Sequence, residues 1–287
     1  MTYREKYFAL TKQDNSSYNR VVVKALLMDD GNYKDFTTLI CNFDKNLANE
    51  GEIDAKYARI QAGEPLQYVL GYAYFVNSNY KVDSRVLIPR QETELLAVST
   101  LNLIVKTFGK DPEITIVDVG TGSGILAIYL KEYFPHAKVI ATDISSDAIE
   151  VAKENAKLHN VEIDFRVGNM LDEVKEPIDV VVSNPPYIGD ESTVSEQTLK
   201  YEPHLALFAS PKTKYYEELL SHIDQMNDKC LFAFEIGEDM EEELTNLLEE
   251  KYLGLVYRFE KDIYGKVRYL YIIRDEKYDV DQRCVVF

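Results

Sequence analysis

The chain has no tryptophan, and of its 287 residues only three are cysteine and four histidine. Cys41, Cys230 and Cys284 are far apart and form no Cys-x-x-Cys pair, so neither a disulfide framework nor a structural zinc site is expected. The histidines make no His-Glu-x-x-His spacing, which removes the common zinc hydrolases. Hydrophobic runs are short. None approaches the roughly 18 apolar residues of a membrane span, and "MTYREKYFALTKQDN" at the start lacks the apolar core of a signal peptide. A soluble, cytoplasmic protein is the expectation. Positive charge is also scarce, with 32 Lys and Arg against 49 Asp and Glu and a net charge of −17. Phosphate-driven binding of nucleic acid needs a basic footprint, so no direct nucleic-acid partner is expected, although a local basic patch is compatible with this total.

What is present divides into two rhythms. Up to about residue 73, apolar residues recur at three- and four-residue intervals in "SYNRVVVKALLMDD", "YKDFTTLICNFDKNLAN" and "DAKYARIQA". Breaks at "DDGNY" and "ANEGE" separate them. This predicts a small helical domain over 1–73. Two strand-like runs around "NSN" follow, a hairpin linker over 74–90. From about 112 strands and helices alternate: "EITIVDVG", "SGILAIYLKEYF", "AKVIATDI", "SDAIEVAKENAKLHN", "VEIDFRVGN", "IDVVVSNPPY", "CLFAFEIG". That alternation predicts an α/β domain over 91–287, a doubly wound, mostly parallel sheet covered on both faces. The last runs, "LGLVYRFEKD" and "VRYLYIIRD", predict a hairpin and hence one antiparallel edge. The tail "EKYDVDQRCVVF" has no assignment.

"VDVGTGSG" sits where the first strand of the α/β half turns into its first helix. Glycines there permit a tight turn and a close approach of a ligand to the main chain. A dinucleotide fingerprint would place Gly at the sixth position after Gly120, where Ile125 stands. Asp143 ends the second strand, roughly twenty residues on, where an acidic residue meets ribose hydroxyls. Together these suit an adenosine-containing cofactor. The alternative for Asp143 is a helix-start carboxylate, a role that Ser145 and Asp147 fill equally well. Asn169 and Met170 follow the third strand and face the same crevice, or else form a local loop pair.

"SNPPYIG" follows the fourth strand, so Asn184 emerges at the same edge. Proline fixes its own φ and holds the preceding residue extended. Asn184 and Pro185 each precede a proline, which stiffens the loop at little entropic cost. Pro185 and Pro186 donate no N–H. A rigid carbonyl edge beside the Asn184 side-chain oxygen makes two acceptors, which fit an NH₂ group, and Tyr187 offers a flat face to a planar one. An amide or exocyclic amine is a poor nucleophile, and two fixed acceptors orient it and stabilise the charge that grows as it attacks. The alternative is a strand end terminated by Pro-Pro. Glu92 and Glu94 read as helix-start acids rather than a proton-transfer pair. Glu235, at the end of the fifth strand, reads equally as a site residue and as a loop acid.

"VDVGTGSG", "ATDIS" and "SNPPYI" resemble the class I S-adenosylmethionine-dependent methyltransferases with a seven-stranded, Rossmann-like sheet and an amino-type Asn/Asp-Pro-Pro-Tyr motif. "GEPLQYVLGYAYF", "VLIPRQETELL", "YEPHLALF" and "KDIYGKVRYL" are similar to the protein-glutamine N5-methyltransferase family that modifies peptide-chain release factors, the PrmC/HemK family. The resemblance covers about residues 62–273. It implies S-adenosyl-L-methionine as cofactor, with Gly120, Thr121, Gly122, Ser123 and Gly124 around its methionine part, Asp143 on its ribose, and Asn169, Met170 and Asn184 also against it. It implies that Asn184, Pro185, Pro186 and Tyr187 hold a substrate glutamine, with Asn184, Pro185 and Tyr187 catalytic. The partner would be a release factor, the methyl acceptor the glutamine of its Gly-Gly-Gln motif, and the N-terminal helical part the recognition domain. Separately from the resemblance, a monomer is the default expectation, and the Cys and His spacing predicts no metal. Three positions depart from the family pattern. Gln91 stands for a proline, "FASPKTKYY" replaces a Gly-rich segment after Leu207, and Met170 stands where an aromatic residue is frequent.

Rival readings remain. A glutamine of a ribosomal protein would need the same fold and chemistry. Adenine N6 of DNA also presents a planar amine, against which stands the negative charge. A nicotinamide-dependent oxidoreductase is disfavoured by the missing sixth glycine, and a cofactor-binding regulator without catalysis by the intact Asn184 to Tyr187.

Overall fold

The computed structural model describes residues 1–275, so the unassigned tail, Cys284 included, lies outside the described residues. These fall into two compact units, Met1–Tyr72 and a larger one beginning at Ala73.

The first unit contains α1 (Tyr3–Gln13), α2 (Ser17–Asp30), α3 (Phe36–Cys41), α4 (Glu50–Gln61) and α5 (Leu66–Leu70). Each of the first four starts on a side chain that accepts from a free backbone N–H. The capping residues are Thr2 (in a reciprocal box with Glu5), Ser16, Asp35 and Asn49. Val22, Val23, Leu26 and Leu27 of α2 are buried with Leu39, Ile53 and Ile60 in one core, as the spacing predicts. The run 33–49 is helical over only six residues. Long-range bonds hold the rest out of the helix: the carbonyls of Phe43 and Lys45 accept from Arg4 N (2.9 Å) and Tyr3 N (3.1 Å), and the Asp30 carboxylate accepts from the backbone of Ala48 (2.8 Å) and Asn49 (2.7 Å).

The second unit opens with a hairpin, β1 (Tyr72–Phe75) and β2 (Ser78–Lys81). It turns at Val76 and Asn77, ahead of the Asn-Ser-Asn centre that the sequence suggests, with Val76 at φ +54°. The domain continues with α6 (Gln91–Phe108), β3 (Thr115–Val119), α7 (Ile125–Tyr133), β4 (Lys138–Asp143), α8 (Ser146–Leu158), β5 (Asp164–Val167), β6 (Ile178–Ser183), α9 (Glu196–Tyr201), α10 (Lys214–Ser221), β7 (Met226–Glu235), α11 (Glu241–Lys251), β8 (Val256–Lys261) and β9 (Val267–Arg274). Seven strands form one sheet in the order β5-β4-β3-β6-β7-β9-β8, six of them running the same way and β9 alone reversed. This is the doubly wound, mostly parallel sheet that the alternation of strands and helices predicts.

One expectation is corrected. The antiparallel strand is not the edge. β9 pairs antiparallel with both β7 and β8, so the last strand lies inside the sheet and β8 takes the edge. Burial explains the order. Tyr269 to Ile273 are all buried, whereas no residue of β8 is fully covered. The strand with an unbroken apolar run takes the position covered on both faces.

Alternate residues of the central strands feed two cores. Ile116, Val180, Val182, Leu231 and Ala233 pack with α6 and α7 residues on one face. Val117, Val119, Val181, Phe232 and Phe234 pack with α10 and α11 residues on the other. Among the described residues no helix is long and apolar enough to cross a membrane.

Candidate active site

Register places the site. Val119, Thr142, Ser183 and Phe234 lie in one row across β4, β3, β6 and β7. The next residue on each strand is therefore Asp143, Gly120, Asn184 or Glu235. Four strands of the one chain deliver these groups to one carboxyl edge, where open α/β sheets bind ligands.

A cavity of about 170 Å³ lies along this edge, lined by Gly120, Gly122, Asp143, Ile144, Gly168, Asn169, Met170, Asn184 and Pro186 among others. Gly120 (φ +70°) and Gly122 (φ +55°) take the left-handed conformation, and a β-carbon on either would meet open space. Their backbone therefore forms bare cavity wall. The other three loop residues turn inward. Thr121 is buried and its hydroxyl donates to Asp118 Oδ2 at 2.6 Å. The Ser123 carbonyl accepts from Asn155 Nδ2 at 2.8 Å. Gly124 packs so tightly on α8 that an added β-carbon would sit 3.0 Å from that of Ala152. Asn155 also exchanges two hydrogen bonds with the backbone of Lys81, tying the β2 strand to the loop.

Asp143 accepts from Gly122 N and Ser145 N, each at 2.9 Å, one on each carboxylate oxygen. Each oxygen keeps lone pairs for a further donor. Burial raises its pKa, opposed by those two backbone bonds. Asp118, wholly buried under the loop, is pushed up to about 7 by burial, and its Oδ1 has no partner. Met170 lines the cavity with φ +44°, its carbonyl held by the Thr142 hydroxyl at 2.8 Å. Asn169 also lines it, but its amide nitrogen donates to Glu218 of α10. Apolar surface, bare glycine backbone and a carboxylate with spare acceptors together fit a nucleoside-containing cofactor.

A second cavity of about 210 Å³ is lined by Arg90, Asn184, Pro185, Pro186, Tyr187, Ile188 and Glu235 among others. Asn184 and Pro186 line both. Arg90 is held by an ion pair of 2.7 Å with Glu202, which also accepts from Ile88 N at 3.1 Å. The segment entering α6 is thereby anchored despite Gln91 in place of proline.

Two residues come into the site that the motifs did not single out. Glu235 is buried, and Thr93, in the first turn of α6, donates to its Oε2 at 2.7 Å. Tyr187 donates to Oε1 at 3.3 Å. The Asn184 amide nitrogen donates to the Thr93 hydroxyl at 3.1 Å. Burial pushes the Glu235 carboxyl up to about 7 against the Thr93 bond, and burial likewise raises the Tyr187 hydroxyl. The position of Glu235 at a strand end was the available signal; Thr93 lies inside the "VLIPRQETELL" block, but nothing in that block marks it as a partner of Glu235. Glu92 and Glu94 lie in the first turn of α6, as the sequence reading has them.

Residues 99–224 match the family model described as methyltransferase small domain. The release factor glutamine methyltransferase of Staphylococcus aureus is 37% identical over 224 residues, covering 76% of this chain and 78% of that one. That of Streptococcus pneumoniae is 35% identical over 240 residues, covering 81% and 84%. That of Lactococcus lactis is 36% identical over 214 residues, covering 73% and 77%. Among solved structures, the hMettl16 catalytic domain in complex with the MAT2A 3'UTR hairpin 6 is similar, with a TM-score of 0.54 at 11% identity over 81% of this chain and 85% of that one. That likeness concerns the fold alone.

Proposed function

Because the chain belongs to the release factor glutamine methyltransferase family, we propose that it transfers a methyl group from S-adenosyl-L-methionine to the side-chain amide nitrogen of the Gly-Gly-Gln glutamine of a peptide-chain release factor. The observation that carries this reading is the place of Asn184, on the wall common to the two cavities. S-adenosylmethionine supplies an electrophilic methyl group on a sulfonium centre.

In this reading the bare backbone at Gly120 and Gly122 receives the methionine part, and the remaining lone pairs of Asp143 take the ribose hydroxyls. Ile144 and Met170 give the base apolar cover. Thr121, Ser123 and Gly124 act from beneath, by shaping the loop. The glutamine enters the second cavity, with Tyr187 along its amide plane and its NH₂ between Asn184 Oδ1 and the Pro185 carbonyl. Two acceptors hold the amide nitrogen with its lone pair free of solvent and stabilise the positive charge that develops on attack. The surplus proton leaves to water. The helical unit over 1–73 recognises the release factor, and the enzyme works as a monomer.

The test is transfer of label from S-adenosylmethionine to three acceptors: a purified release factor, the same factor with its Gly-Gly-Gln glutamine changed to Ala, and duplex DNA. Label on the first alone is expected, with Asn184→Ala lowering the rate by about a hundredfold or more, the scale of losing an oriented transition-state contact. Label on DNA would replace the glutamine reading with adenine methylation.

A further inference from the structure

Asn184 is useful only one way round. Its oxygen accepts a hydrogen bond, its nitrogen donates, and the amide could turn either end to the substrate cavity. An amide nitrogen attacking a methyl group needs acceptors around its NH₂, so the donor end must face elsewhere.

We propose that Thr93 and Glu235 are positioning residues that lock the polarity of the Asn184 amide, and that Glu235 clamps both ends of the Asn-Pro-Pro-Tyr loop at once. This rests on the reading of Asn184 given above. The hydroxyl of Thr93 has one proton, and that proton goes to Glu235 Oε2 at 2.7 Å. With Glu235 ionised, what remains on Thr93 Oγ1 is lone pairs, so the Asn184 group facing it at 3.1 Å is the NH₂. Oδ1 is left for the cavity side. The other oxygen of the same carboxylate accepts from Tyr187 at 3.3 Å, so one buried side chain fixes the first and the fourth residue of the motif.

The clamp is itself held. The Glu235 carbonyl accepts from Tyr216 of α10 at 2.8 Å. On the other side, the Glu92 carbonyl, one residue before Thr93, accepts from Tyr269 of β9 at 2.9 Å. Thr93 is 3% exposed and Glu235 1%, so water does not compete for either group. A threonine at this place is more than a helix-start residue. It links α6 to the loop and transmits the orientation of Asn184.

The experiment compares Thr93→Val, which keeps shape and removes the hydroxyl, with Thr93→Ser, which restores it. Kinetics with a release factor and S-adenosylmethionine are expected to show kcat lowered at least tenfold in the valine variant, with KM for the release factor and the dissociation constant of S-adenosylmethionine within twofold of wild type. The serine variant should recover most of kcat. A second readout needs no turnover: the side-chain NH₂ of Asn184, followed by ¹⁵N NMR, is expected to exchange slowly with solvent in the wild type and serine variant and rapidly in the valine variant. Equal exchange in all three would overturn the clamp. So would a serine variant as slow as the valine one, or a loss in kcat matched by loosened cofactor binding and a lowered melting temperature, which is what a merely structural threonine would produce. A wild-type protein that methylates no release factor would sink the functional reading, and the exchange experiment would still decide the clamp.

Discussion

Glu235 is a carboxyl group in a place that disfavours its charge. Burial raises its pKa to about 7 from an ordinary 4.5; the charge of Glu92 adds to this, while Thr93, Tyr187 and Arg268 oppose it. A raised folded-state pKa means that the folded protein holds a proton that the unfolded chain has already lost. The stability this gives is present in full below the unfolded value and drains away as pH rises through about 4.5 to 7. The gradient is about 1.4 kcal/mol per pH unit at its steepest. Glu235→Gln carries no titrating group, so its denaturant unfolding free energy should fall less steeply between pH 5 and 8 than that of wild type. Parallel curves would show that Glu235 titrates normally. Asp118, also raised to about 7 by burial, keeps a slope of its own in both proteins.

The loop between β3 and α7 divides its labour by position. A β-carbon on Gly122 would meet open space, whereas one on Gly124 would lie 3.2 Å from the α-carbon of Ala152, although both glycines have positive φ. Gly122→Ala should therefore cost about 1–2 kcal/mol of backbone strain and in addition weaken S-adenosylmethionine binding by intruding on the cavity. Gly124→Ala should lose more stability, because strain and overpacking add, and affect affinity only as far as the loop moves. Calorimetric titration beside chemical unfolding separates the two; the reverse ranking would refute this division. Elements of this kind were legible in the sequence because their signals are local. A glycine run after a β-branched strand, Pro-Pro after Asn, and the spacing of α2 each lie within a few residues. The shortened α3 was not legible, since Asp30 acts on Ala48 and Asn49 across 18 and 19 residues. Nor was the Thr93–Glu235 pair, whose partners stand 142 residues apart. The order of the last two strands was hidden differently. A hairpin pattern states that two strands pair, not which one the rest of the sheet accepts.

As a whole molecule the chain is two cores. One is closed by residues of the five N-terminal helices, the other two-layered around the sheet. Asn184, Tyr187, Glu235 and both cavities at the carboxyl edge belong to the second. If the helical unit serves recognition, a protein beginning at Gly71 should bind S-adenosylmethionine as tightly as the full chain. It should still methylate a release factor at high concentration, with KM raised by tenfold or more. Unchanged KM would remove the recognition role from the helical unit.

The placing of β9 between β7 and β8 also has a meaning in time. A ribosome delivers β7 and β8 first, and they are not neighbours. The edge of β7 from Cys230 to Glu235 waits for residues 269–274, and with them for Tyr269, whose hydroxyl holds the residue before Thr93. Synthesis therefore fills the gap in the sheet and supplies the partner of the Glu92 carbonyl in one step. A chain released before residue 269 carries the glycine loop and the Asn-Pro-Pro-Tyr motif, but neither of these two supports.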